Sequence, residues 1–147
     1  MAPDPALEAF CAFYNKLDKS CTKNLHKIYT QNVSFVDPLH RIDGLSALER
    51  DFAGLYENVT TCRFVFHEQQ RLGNVAFVTW TMHLAHRRLA RGKEITVEGA
   101  SRLVFAADGS GRVCHHRDYF DAGELLYERL PLLGSLVRWT KRHAAGG

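Results

Sequence analysis

The sequence predicts an α+β domain in which helices pack on one face of a curved antiparallel sheet. Three observations carry that prediction. Apolar residues recur at spacings of three and four from Leu7 to Tyr56, the spacing changes to two from Thr61 onward, and glycine-rich turns separate the alternating runs. A period near 3.6 is the mark of an amphipathic helix, and a period of two that of a half-buried strand.

The first helix is expected from about Pro5 to Asp18, with Leu7, Phe10, Cys11, Phe13, Tyr14 and Leu17 on its apolar side. Pro5 suits its start, where the missing amide has no helical partner. After the polar break at Lys19-Ser20, Leu25, Ile28 and Tyr29 mark a short second helix, and Val33 to Val36 reads as a brief strand ending at Asp37-Pro38. A third helix follows Gly44, with the stripe Leu45, Leu48, Phe52, Leu55 and Tyr56.

Cys62, Phe64 and Phe66 then alternate with polar residues, Gly73-Asn74 turns the chain, and Ala76, Val78, Trp80, Met82 and Leu84 form the apolar side of the next strand. Ile95, Val97, Gly99, Ser101, Leu103 and Phe105 share one face of another. Asp108-Gly109-Ser110-Gly111 turns the chain again, and Val113 to Phe120 returns. From Asp121 the pattern is helical once more, with basic residues at its end and Pro131 within it, so residues 121–143 read as a C-terminal helical extension of a single domain spanning 1–147. A curved sheet covered on one face makes a cone, whose cavity is the natural place for a small molecule.

Composition narrows the function. At 147 residues, 46% apolar and 24% charged, the chain is an ordinary globular domain, and no apolar run approaches a bilayer span of about 20 residues. The formal charge of +3 is modest, and Arg87-Arg88-Leu89-Ala90-Arg91 reads as a solvated hairpin tip, so no nucleic acid is expected. Cys11, Cys21, Cys62 and Cys114 are widely spaced, as free thiols are, and the N-terminus lacks a basic start before an apolar core. A cytoplasmic protein follows. A membrane contact is not expected, the basic C-terminal helix being the only feature that would offer one.

Tyr29 to Asp37-Pro38, with Gly44 beyond, resembles the second helix, short strand, Asp-Pro and following glycine of the nuclear transport factor 2-like superfamily, which includes ketosteroid isomerases, SnoaL-like polyketide cyclases and limonene epoxide hydrolases. The resemblance covers about Ala6 to Phe120 and implies the cone-shaped, cystatin-like fold of that group. It implies that Asp37 matches the isomerase base and Tyr14 the tyrosine that donates to the substrate oxyanion. Where those enzymes carry a protonated aspartic acid on a later strand, this chain has Ser101. The run His115-His116-Arg117-Asp118-Tyr119-Phe120-Asp121 is similar to a signature of SnoaL-like proteins. In the cyclase branch an acidic residue from the sheet is acid and base for a ring closure, which makes Asp118 a second candidate.

Strand parity puts His116, Asp118 and Phe120 on the cavity side. Together with the positions the resemblance implies, the expected catalytic set is Asp37, Asp118, Tyr14 and His116, and the walls are Trp80, Met82, Ser101, Phe120 and, at the mouth, His40. Each residue has a plainer reading. Asp37 could accept backbone amides in the turn before the third helix, Asp118 could pair with Arg102 or Arg63, and Tyr14 could simply pack. Adjacent His115 and His116 point apart, as do His83 and His86, so neither pair can chelate one metal, and no cofactor fingerprint is visible.

Two functions follow. One is a cofactor-independent isomerase, cyclase or hydrolase using acid/base chemistry on a small apolar carbonyl or epoxide compound. The other is a non-catalytic binding or dimerisation module. The resemblance implies a homodimer formed by the outer face of the sheet.

Overall fold

The computed structural model describes residues 4–17 and 19–123, with 142 and 144. Helix α1 runs from Pro5 to Asn15. Asp4 caps it by accepting the Leu7 amide at 2.9 Å, which satisfies one of the donors a helix start leaves over. The same carboxylate binds Arg71 at 3.0 Å and so ties the helix to the sheet. Leu7, Phe10, Cys11 and Tyr14 face inward.

The second helix is a 3-10 helix, Lys19–Lys27, and it stops before Tyr29. That corrects the sequence reading, which placed Tyr29 on the helix. Tyr29 instead opens strand β1, Tyr29–Val36, because the backbone of Ile28 and Tyr29 is drawn into pairing with a strand near the other end of the chain. The Val113 amide donates to the Ile28 carbonyl at 2.7 Å.

A short strand β2, Arg41–Asp43, which the sequence pattern did not reveal, folds back on β1. Helix α2, Leu45–Tyr56, then starts behind Gly44, whose φ of 96° is open to glycine at no steric cost. Leu45, Leu48, Phe52 and Tyr56 are buried as the stripe predicts. Leu55 leaves the stripe: it is 50% exposed and lines the rim of the main cavity.

Strands β3 (Val59–Leu72), β4 (Val75–His86), β5 (Ile95–Phe105) and β6 (Val113–Phe120) form an antiparallel meander. The six strands are ordered β2-β1-β6-β5-β4-β3. The β1–β6 pair is parallel, a detail that alternation within single strands does not disclose. The core lies between the helices and one face of the sheet, with Leu25, Tyr29, Val33, Leu48, Val97, Leu103 and Val113 fully enclosed. No helix among the described residues is long and apolar enough to cross a membrane. The predicted C-terminal helix over 121–143 lies almost wholly outside the described residues.

Candidate active site

The irregularity between β5 and β6 falls at Val104/Phe105, and beyond it residues 115–120 of β6 run in register with 99–104 of β5. Alternation therefore survives from His116 to Phe120. Ser101 lies opposite Asp118, while Arg102 lies opposite Arg117 on the other face of the sheet. Arg63, opposite His83, has the opposite parity to cavity-lining Cys62 and Phe64. The ion pairs considered for Asp118 do not form, because parity sends both arginines outward.

Asp118 is held from inside instead. Ser101 Oγ donates to Asp118 Oδ1 at 2.5 Å, and His116 Nε2 lies 2.5 Å from the same oxygen. Trp80 Nε1 donates to Ser101 Oγ at 2.9 Å, which leaves the serine's single proton for the carboxylate. On the far side of the imidazole, His116 Nδ1 is 2.6 Å from the Tyr29 hydroxyl, and that hydroxyl is 2.6 Å from the hydroxyl of Tyr14. One unbroken hydrogen-bonded chain thus runs from Trp80 through Ser101, Asp118, His116 and Tyr29 to Tyr14.

Its members are deeply placed. Tyr29 is fully enclosed and His116 is 2% exposed, with the Phe35 ring centroid 4.5 Å from the imidazole. Burial raises the phenols of Tyr14 and Tyr29 well above the ordinary tyrosine value. Asp118 adds to the rise in both, and for Tyr29 the bond from Tyr14 offsets only part of it. Both remain neutral phenols.

Tyr14, Trp80 and Asp118 also line the main cavity, which has a volume of about 570 Å³. Its walls are mostly apolar and include Phe35, Phe64, Met82, Leu84 and Phe120. A recess of about 20 Å³ behind it is lined by the same three residues with Ser101 and His116. All the hydrogen bonds of Asp118 end on Oδ1, so Oδ2 takes no donor from any described residue. Cys62 is also in the wall, but burial pushes its thiol up to about 11, which leaves little thiolate at neutral pH.

Asp37 and His40 line the same cavity beside exposed Leu39 and Asp51, at its mouth. Asp37 Oδ1 accepts the amides of Leu39 and His40 at 2.8 and 3.0 Å and lies 2.8 Å from His40 Nδ1. The carboxylate thus has the turn-capping partners that the plainer reading of it requires, and it stays on the cavity wall. His40 Nε2 reaches Asp51 on α2 at 3.3 Å. Burial lowers the His40 pKa, but the bonds to Asp37 and Asp51 outweigh it, so the ring sits above the ordinary histidine value.

The structure therefore brings Tyr14, Trp80, Ser101, His116 and Asp118 into one network and holds Asp37 and His40 in a separate cluster. Tyr29, the central link, and Asp51 were missed by sequence reasoning. The buried partners of Tyr29 are 15 and 87 residues away, and a helix assignment hid its face. Among the described residues, no group of three or more His, Cys, Asp or Glu is placed to hold a metal ion.

A cone of this topology with a polar network set in an apolar cavity defines a class, and comparison with known proteins gives the family. Residues 8–116 match the SnoaL-like domain, and the chain belongs to that family. No curated protein matches the chain in sequence. Among solved structures, a protein assigned to the SnoaL-like polyketide cyclases from Shewanella putrefaciens is similar at a TM-score of 0.73 and 14% identity, covering 89% of this chain and 99% of that one. A hypothetical protein with a ketosteroid isomerase-like fold from Catenulispora acidiphila, in complex with trimethylamine, is similar at 0.69 and 11% identity, covering 87% and 93%. A limonene-epoxide-hydrolase-like epoxide hydrolase of M. tuberculosis is similar at 0.66 and 18%, covering 81% and 80%. At these identities the likeness is one of fold.

Proposed function

We propose that this protein is a cofactor-independent isomerase, cyclase or hydrolase that moves a proton on a small apolar carbonyl or epoxide compound, with Asp118 as its acid/base. One observation carries the reading: a carboxylate with Oδ1 fixed by Ser101 and His116 borders a largely apolar cavity of about 570 Å³ with Oδ2 left over. A base held in one orientation beside a largely apolar wall is what proton abstraction next to a carbonyl requires. Tyr14 would face the oxygen on which charge develops, with His116 acting behind it through Tyr29, and Trp80, Met82 and Phe120 would shape the pocket with Ser101 in the recess behind them. Asp37 is the second carboxylate candidate, with His40 beside it at the mouth.

The test is turnover of a panel of small enones, β-ketoesters and epoxides. For a compound that is converted, Asp118→Asn should lower the rate by on the order of 100-fold or more without loss of fold. Asp37→Asn keeps an oxygen for the turn amides and should cost far less, whereas the reverse order would move the base to Asp37. Binding of these compounds without conversion would make the chain a non-catalytic binding module.

Two further parts of the reading concern its setting. The outer sheet face, where Val65, Phe77 and Tyr119 are exposed, is the proposed homodimer surface. Cys11, Cys62 and Cys114 are free thiols, which fits a reducing, cytoplasmic location.

A further inference from the structure

Counting protons along the buried chain gives it a direction. Trp80 Nε1 can only donate, so Ser101 gives its proton to Asp118 Oδ1. An ionised Asp118 can only accept, so the His116 nitrogen facing it, Nε2, carries hydrogen. What remains variable is Nδ1. With His116 neutral, Nδ1 is an acceptor, Tyr29 must donate to it, and Tyr14 must donate to Tyr29. Every hydroxyl proton is then used inside the chain, and Tyr14 offers only lone pairs to the cavity. With one more proton, placed on Nδ1, the order reverses: Nδ1 donates to Tyr29, Tyr29 donates to Tyr14, and the Tyr14 O–H is released toward the cavity.

We infer that Tyr29 is a positioning residue through which the proton count of the His116–Asp118 pair sets whether Tyr14 presents a donor or an acceptor to a ligand. A ligand oxyanion at Tyr14 and the second proton on His116 are thus bound together, while an enol or hydroxyl donor is met by the pair with one proton. The two phenols relay by turning their O–H bonds rather than by ionising, since burial holds both as neutral phenols.

The surroundings of the ring leave few competing partners. Phe10 and Tyr14 face it from α1, Tyr29 and Phe35 from β1, and Asp118 from its own strand. The titratable groups nearest to it are thus Tyr14, Tyr29 and Asp118, with His115 next to it in the chain and Cys62 and Tyr56 beyond the tyrosines. The inference deepens the proposed function and rests on Asp118 and Tyr14 meeting the substrate, but its test needs no substrate.

The test follows the full chain, labelled on histidine nitrogens and tyrosine Cζ carbons, by NMR across the folded range of pH. The Tyr14 Cζ signal should move with the His116 Nδ1 signal, with one shared midpoint. In Tyr29→Phe, which keeps the rings and their spacing but removes the linking hydroxyl, His116 should still change its proton count while the Tyr14 signal moves by only a small fraction of its wild-type amplitude. Electrostatic influence through space survives that substitution and accounts for the small remainder, so a Tyr14 signal that tracks His116 in the variant with its wild-type amplitude overturns the inference. So does a wild-type Tyr14 signal that is flat while His116 titrates, or a His116 that never changes its proton count. The wild-type measurement stands alone if Tyr29→Phe fails to fold. Turnover data bear on the catalytic reading separately, so either can fail without the other.

Discussion

Ser101 shows how one hydroxyl organises the site. It is 3% exposed, accepts the indole N–H of Trp80 and gives its own proton to Asp118, so a buried indole and a half-buried carboxylate both depend on it. Ser101→Ala removes both bonds at once and leaves the indole N–H without a partner. An unsatisfied buried donor costs about 1–3 kcal/mol, and urea denaturation should show a loss of that size. A loss below about 0.5 kcal/mol would mean that water takes the place of the hydroxyl. Much of this network was legible in the sequence. The alternation His116, Asp118, Phe120 within one strand and the parity of Ser101 within another are enough to assign those side chains to the inner face. Tyr29 was not legible, because its inner face is defined by parallel pairing with a strand more than eighty residues away, and no local period encodes that.

Between elements, two contacts hold the site's frame. Gly99 on β5 lies opposite Phe120 and under the Trp80 ring. A Cβ at this position would meet the indole and stand 2.8 Å from the Tyr119 carbonyl oxygen. Gly99→Ala should therefore push Trp80 away from Ser101, cost about 1–3 kcal/mol by overpacking, and shift the tryptophan fluorescence; an unchanged spectrum would show that the ring absorbs the methyl in place. The second contact is the His40 latch, which ties the turn after β1 to Asp51 on α2. The pKa of His40 is raised in the folded chain, so its contribution is fully present below the ordinary histidine value of 6.5 and is lost as pH rises through the raised folded value. Melting curves should show the penalty of His40→Ala to be largest in mildly acid solution and to shrink toward alkaline pH. A penalty independent of pH would reduce the ring to packing. The α2 stripe and the Gly44 boundary were readable as helical spacing and a turn residue. Strand β2 was not, because three residues are too few to show a period.

At the scale of the whole molecule, the side of the sheet away from the cavity carries three neighbouring rows with different chemistry. Phe77, Arg102 and Arg117 form one row, Thr79, Ala100 and Tyr119 the next, and Val65, Thr81 and Glu98 the third. Phe77 is 51% exposed and Tyr119 49%, with the Arg117 guanidinium 5.1 Å from the Tyr119 ring centroid. A two-fold axis through the middle row would set the arginine row of one copy against the Glu98 row of the other. It would also bring the apolar side chains together, which is the self-complementarity that an isologous dimer demands. Light scattering at micromolar concentration should therefore give twice the chain mass. Phe77→Glu should return the chain to a monomer, because it places a carboxylate where the proposed dimer would bury apolar surface. Added salt should loosen the proposed dimer through the arginine–glutamate pairs this axis would form while leaving its apolar contacts intact. A monomer in low salt at that concentration would show that the exposed rows face solvent and that the site is complete within one chain.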